Sequence, residues 1–279
     1  MNFSINQETI RNDIFGFTKT PFRQAPDKPF LNGPRQLYMQ ELEAFARRRG
    51  IAAIAGEPGS GKTALIRYFI ESLSKNNHKI VYNPFTNSSD NDLLRSLCTA
   101  LEIEPFFHRN RTVDALQQRI RELGNINPII VLDETQNASH QLLETVRLLT
   151  NDEFDSKNRL TIILIGTEDL FRELKKKINE SLRQRITLFC RINPLSEQES
   201  SEYIRHCLTQ AGSTQEVFTE ASLKFTHDIA HGCMRIINNL AAAALESASH
   251  AVSPTVELEH MRHAEKVCIL PQPDINIGM

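Results

Sequence analysis

The chain has 279 residues, 40% of them hydrophobic and 24% charged, with a net charge of −2. That length accommodates one large domain or two modest ones. The near-neutral balance excludes a chain-wide polycation, so nucleic-acid contacts would have to come from a local basic patch. No stretch of about 18 apolar residues occurs, which excludes a membrane-spanning helix. Met1-Asn-Phe-Ser leads into polar residues and not into an apolar secretory segment. The five scattered cysteines suit free thiols, and a cytoplasmic protein is expected.

Residues 1–35 are punctuated by Pro21, Pro26, Pro29, Gly33 and Pro34, with Phe15, Phe17, Phe22 and Phe30 between them. This predicts an extended segment that docks its aromatics elsewhere. Residues 35–49 read as a helix whose closing Arg47-Arg48-Arg49 suits the negative end of a helix dipole. Strands and helices then alternate, the pattern of a parallel sheet. The predicted strands are 51–55, 79–82, 129–132, 160–165 and 186–190. The predicted helices are 62–75, 90–102, 112–123, 138–150 and 168–178. Ile129-Ile-Val-Leu132 is uniformly apolar, as a central strand covered on both faces should be.

After Pro194 only helices are predicted. Ser196-Glu-Gln-Glu199 is a capping box opening the first of them. A second opens at Thr219 or Glu220, a third spans 233–249, and Ser253-Pro254 starts a fourth. The expected organisation is an N-terminal segment and helix at 1–50, an α/β domain at 51–192, a helical domain at 193–269 and a tail at 270–279.

Residues Gly56-Glu57-Pro58-Gly59-Ser60-Gly61-Lys62-Thr63 have the spacing of a phosphate-binding loop. The preceding apolar run and the following helical pattern supply the strand–loop–helix setting that the motif requires. Glycines let consecutive backbone N–H groups turn onto phosphate oxygens. Lys62 then reaches the β- and γ-phosphates, the Thr63 hydroxyl ligates Mg²⁺, and the positive end of the helix faces the same anion.

Asp133-Glu134 closes the central apolar strand. Two acids at the carboxyl end of a strand beside the phosphate loop divide the work of hydrolysis. Asp133 holds the Mg²⁺ shell, and Glu134 accepts a proton from the attacking water. Phosphoryl transfer also needs positive charge where negative charge develops. Arg183 and Arg185 before the last strand, and Arg235 opening a later helix, offer it. Thr167, at the end of strand 160–165, can hydrogen-bond phosphate or water. His231-x-Cys233 and His260-x-x-His263 read as packed or solvated pairs, not as metal sites.

The ordered set Gly56–Thr63, Asp133-Glu134-Thr-Gln-Asn137, Gly166-Thr-Glu-Asp-Leu170, Leu182-Arg-Gln-Arg-Ile186 and Gly232-Cys-Met-Arg-Ile-Ile-Asn238 resembles the AAA+ ATPases. Within them it resembles the branch of the general-secretion ATPase A proteins and the bacterial transposition ATPases of the TnsC, TniB and IstB type. The opening Phe15-Gly-Phe17 and Pro21-Phe22 is similar to that branch too. The resemblance implies an AAA+ P-loop core, α/β with a five-stranded parallel sheet, plus a C-terminal all-helical lid, and binding of ATP with Mg²⁺. It implies that Thr167 is sensor 1, Arg185 a finger reaching a neighbouring subunit's site, with Arg183 as the alternative, and Arg235 sensor 2. Thr167 stands where the branch often has Gln, and Cys233-Met234 where it often has a small residue and then Pro. A finger acting in trans implies a homo-oligomer, a ring or filament, in which assembly and turnover are coupled.

Secretion-type relatives typically carry a membrane segment and a cell-wall-binding domain after the ATPase. A chain ending at 279 with neither is expected to be the transposition type. That type assembles on double-stranded DNA without strong sequence preference and recruits a transposase. The expected DNA contacts are Asn87 and Ser88, with the adjacent Ser89, before helix 90–102. Arg109, Arg111 and Thr112, in a loop between two helices, join them. The basic clusters Lys157-Asn-Arg159 and Lys175-Lys-Lys177 read as solvated faces. The alternative is an ATPase acting on protein partners, such as an assembly ATPase of a secretion machinery.

Overall fold

A computed structural model describes residues 12–22, 28–84, 89–150 and 158–269. In chain order the elements are α1 (Asn12–Phe15), α2 (Gly33–Arg48), β1 (Gly50–Gly56), α3 (Lys62–Ser72) and β2 (His78–Pro84). Next come α4 (Asp90–Leu101), α5 (Arg109–Glu122), β3 (Asn127–Asp133), a 3₁₀ turn (Thr135–Asn137) and α6 (His140–Leu149). They are followed by β4 (Thr161–Gly166), α7 (Glu168–Lys175), α8 (Glu180–Arg183) and β5 (Ile186–Ile192). The remaining helices are α9 (Glu197–Gln210), α10 (Glu220–Ala230), α11 (Met234–His250) and α12 (Leu258–Cys268).

Leu31–Asn193 form one unit. Its five strands lie in the order β2-β3-β4-β1-β5, and every pairing is parallel. β1, β3 and β4 are buried along their whole length, which is why apolar runs such as Ile129–Leu132 and Ile162–Ile165 fill their middles. Side-chain alternation splits them between two cores. Ile130, Leu132, Ile162 and Leu164 pack with Leu93, Leu97 and Leu116 of α4 and α5. Ile129, Val131, Ile163 and Ile165 pack with Leu42, Ile66 and Phe69 of α2 and α3. The sheet is thus covered on both faces. Its strands direct their carboxyl ends to one rim, where open α/β sheets bind ligands.

The second unit comprises residues up to Phe30 together with those from Pro194 onward. The expected helix at 35–49 therefore belongs to the sheet unit, and the aromatic segment before it to the helical one. Phe15, Phe17 and Phe22 are buried with Tyr203, Leu208, Leu240 and Leu245. The Thr18 N–H donates to the Ala211 carbonyl at 2.8 Å, which fixes the segment on the end of α9. Ser196 caps α9 in a reciprocal capping box with Glu199, and Thr219 caps α10. Phe15 is fully buried. Phe15→Ala should therefore destabilise the helical unit by about 3–5 kcal/mol. The check is a urea titration followed by circular dichroism, and an unchanged midpoint would contradict the docking of this segment.

Candidate functional site

The phosphate loop runs from the buried end of β1 into α3. Gly59 and Gly61 have φ of 82° and 91°, in the left-handed region that only glycine enters at little cost. Gly61 is the N-cap of α3 and brings no capping side chain, so the first N–H groups of the helix face the loop. Lys62 is buried, and its ammonium donates to the Gly56 carbonyl at 2.8 Å and to the Glu57 carbonyl at 2.9 Å. The Ser60 N–H donates to the Glu57 carbonyl at 3.1 Å, which closes the turn.

One contributor to this loop lies outside the motif. Arg35, on the first turn of α2, is 5% exposed. Its guanidinium donates to the Ser60 carbonyl at 3.3 Å and to the Asn193 carbonyl at 3.4 Å. An arginine at a helix N-terminus opposes the helix dipole. That local mismatch is the signal in the sequence that its role lies elsewhere.

Asp133 ends β3, which is not the neighbour of β1, because β4 lies between them. The Thr63 side chain spans the gap, its hydroxyl donating to Asp133 Oδ2 at 3.1 Å. Tyr82, from edge strand β2, donates its hydroxyl to the same oxygen at 3.0 Å, and the Glu134 N–H donates to Oδ1 at 2.9 Å. Partial burial, then the Asp133 carboxylate beside it, pushes the Tyr82 phenol up to about 12. Glu134 is in the left-handed region at φ 55° and is exposed. Its carboxylate accepts from Gln136 Nε2 at 2.6 Å. Nothing in the sequence around Tyr82 marks it as a partner of Asp133; the parallel register of β2 on β3 brings it there.

Thr167 is the N-cap of α7, and its hydroxyl makes no cap bond. The Thr167 and Ser60 hydroxyls are the buried side-chain polar atoms among the described residues with no hydrogen-bond partner. A triphosphate supplies the acceptors that both lack. Thr63 and Asp133 are hard oxygen donors of the kind Mg²⁺ takes. The residues present therefore fit a magnesium nucleotide. No group of three or more His, Cys, Asp or Glu side chains able to hold a metal occurs among the described residues.

Arg183 lies 3.9 Å from Glu180 on the short α8. Arg185 follows it, its N–H bonded to the Leu182 carbonyl at 3.0 Å, immediately before edge strand β5. Arg235 belongs to the helical unit, exposed on the first turn of α11.

The expected DNA loop needs correction. Asn87 and Ser88 lie outside the described residues. Ser89 is the N-cap of α4, and its hydroxyl is held within the capping box with Asp92. Arg109, Arg111 and Thr112 are not in a loop but on the first turn of α5. Arg109 Nε donates to Asp90 Oδ2 at 2.9 Å and Nη2 to Thr145 Oγ1 at 2.6 Å, joining α4, α5 and α6. Thr112 is buried and bonds the Phe106 backbone. Arg111 is exposed. Positive charge on a first helical turn is unfavourable by itself, and Asp90, on α4, compensates it. That non-local partner is why the local pattern read as loop.

A family profile described as "AAA domain" matches residues 46–174. General secretion pathway protein A of Aeromonas hydrophila is 31% identical over 250 residues, which are 84% of this chain and 44% of that protein. The chain thus spans less than half the length of that curated relative. Cdc6p from Pyrobaculum aerophilum superposes with a TM-score of 0.72 at 18% identity, covering 94% of this chain and 72% of that one. The Aeropyrum pernix ORC1 protein, solved in complex with DNA, gives 0.62 at 19% identity, covering 86% and 66%. Identities this low speak for the fold alone. Among the described residues no helix is long and apolar enough to cross a membrane.

Proposed function

Because the chain belongs to the AAA+ ATPases, in the branch of general secretion pathway protein A, we propose that it binds ATP with Mg²⁺ and hydrolyses it. The observation that carries this is the convergence of Lys62, Thr63, Asp133 and Glu134 on one rim of the sheet, Thr63 and Asp133 within 3.1 Å. Lys62 and the α3 N-terminus meet the phosphate charge. Thr63 and Asp133 offer oxygens to magnesium, which when bound neutralises charge developing on the phosphoryl oxygens. Glu134 takes the proton of the attacking water. Thr167 orients phosphate or water, and Arg185 of a second copy supplies positive charge where negative charge develops.

We further propose that this cycle drives a homo-oligomer that works on protein partners, as a secretion-assembly ATPase would. The 31% identity to general secretion pathway protein A supports this. The end of the chain at residue 279 carries no weight, since the chain spans 44% of that relative. The second reading is an assembly on duplex DNA that controls transposition. It is favoured by the exposed Arg111 and by a fold shared with a DNA-bound ORC1 protein.

One experiment separates the two. Phosphate release is measured against protein concentration, with and without plasmid DNA at low salt, where sequence-independent contacts are strongest. Turnover per chain should rise with concentration and ignore DNA. Stimulation by DNA, with ATP-dependent co-sedimentation, would replace the protein-partner reading by the DNA one. Turnover per chain that is independent of concentration would remove the requirement for a neighbour.

A further inference from the structure

The amide of Gln136 is bonded at both ends. Nε2 donates to Glu134 Oε2 at 2.6 Å, and Oε1 accepts the Thr167 N–H at 3.2 Å. One side chain therefore connects the acid after β3 to the backbone at the end of β4. The space around it is tight. A Cβ on Gly166 would stand 2.7 Å from Gln136 Oε1 and 2.9 Å from the Leu170 Cβ, so the glycine admits the amide. Glu134 sits in a left-handed conformation that a non-glycine residue adopts at a cost and keeps only when its surroundings hold it. The 3₁₀ turn that follows, closed by the Asn137 N–H on the Glu134 carbonyl at 3.1 Å, carries Gln136 back toward the same carboxylate.

We propose that Gln136 is a positioning residue, tying the Glu134 carboxylate to the Thr167 backbone so that the two move as one group. The inference rests on Glu134 as the base. An untethered glutamate on an exposed turn samples many rotamers, and few of them reach the attacking water. The bond to the Thr167 N–H gives the carboxylate a fixed reference at the adjacent strand end. That strand end also carries the partnerless Thr167 hydroxyl. A displacement of Thr167 toward phosphate is then passed to Glu134 through a single amide. Gln136 itself donates and accepts no proton in the reaction.

The test uses the full chain. Gln136→Met keeps the length of the side chain and loses both bonds. Gln136→Glu keeps an acceptor for Thr167 and sets a carboxylate against Glu134. Both variants should lower kcat by about tenfold or more, a part of what a general base contributes. ATP affinity should stay within about threefold in both, since Lys62, Thr63 and Asp133 are untouched. Gln136→Asn, with the amide one methylene short, should recover less than the parent rate. In the nucleotide-free protein, hydrogen exchange at the Thr167 amide should quicken severalfold in Gln136→Met and not in Gln136→Glu. Parent turnover or unchanged Thr167 exchange in Gln136→Met overturns the proposal. If Glu134→Gln is silent while Gln136→Met turns over at the parent rate, the base stands and the tether falls. If Glu134→Gln also turns over normally, the reading of Glu134 itself is lost.

Discussion

Lys62→Ala should lower ATP and ADP binding to below detection at ordinary protein concentrations. The lysine is the one side-chain cation that the phosphate-loop motif itself carries, and it is buried at the mouth of the loop. A charge-assisted bond between ammonium and phosphate contributes about 1.5–3 kcal/mol, and the ammonium offers three donors to two phosphate groups. Affinity should fall by roughly a hundredfold or more, taking about 1.4 kcal/mol per tenfold. The variant should still fold. In the free protein the lysine's bonds to the Gly56 and Glu57 carbonyls are among those lost, and the ladder of β1 and the helical bonds of α3 do not run through them. Isothermal titration with nucleotide and magnesium reads the affinity, and a thermal melt of the free protein reads the fold. Normal affinity in a folded Lys62→Ala would falsify the assignment of residues 56–63, and with it the ATPase reading.

The turn at residues 56–63 was legible because its shape is written into the backbone. Gly59 and Gly61 stand where φ is positive, and no other residue type adopts that pair of angles as readily. The central strands were legible for a related reason. A strand covered on both faces is apolar through its middle, as Ile129–Leu132 is, with polar Asn127 and Asp133 confined to its ends. The edges were less so. β5 continues to Ile192, past the predicted end at 190, through the solvent-facing Arg191. Its guanidinium lies 3.0 Å from Glu168 and 5.8 Å from the Phe171 ring, contacts invisible in a local window.

What could not be read depends on partners far away in the chain. Arg35 meets Ser60 and Asn193, Tyr82 meets Asp133, and Arg109 meets Asp90 and Thr145. Each is a polar side chain whose neighbours are set by sheet order and helix docking. The order β2-β3-β4-β1-β5 is what separates Asp133 from β1 by one strand and leaves Thr63 to reach it. The same holds for the N-terminal aromatics. Their number predicted docking, but only the fold places them with α9 and α11.

Glu134→Gln should bind ATP as the parent does, release phosphate slower by about a hundredfold to ten-thousandfold, and accumulate as assembled oligomer. The substitution keeps the shape of the side chain and removes its basicity. An oxygen remains to accept from Gln136 Nε2, so the turn at Thr135–Asn137 is undisturbed. Asp133 and Thr63, the expected magnesium donors, keep their contact at 3.1 Å. Binding and chemistry are therefore separated in one variant. If hydrolysis is the step that lets subunits part, blocking it traps the assembled state, which sedimentation with ATP and magnesium measures directly. Arg185→Ala makes the complementary lesion: an intact base with no finger to offer a neighbour. Mixed, the two inactive proteins should regain turnover. At some interfaces an Arg185→Ala subunit, with its own Glu134, meets the Arg185 of a Glu134→Gln subunit. Recovery should peak near equal amounts and vanish on dilution. An unchanged rate in Glu134→Gln alone removes the base, whereas silence in the mixture leaves the base and removes Arg185 from its role in trans, turning attention to Arg183.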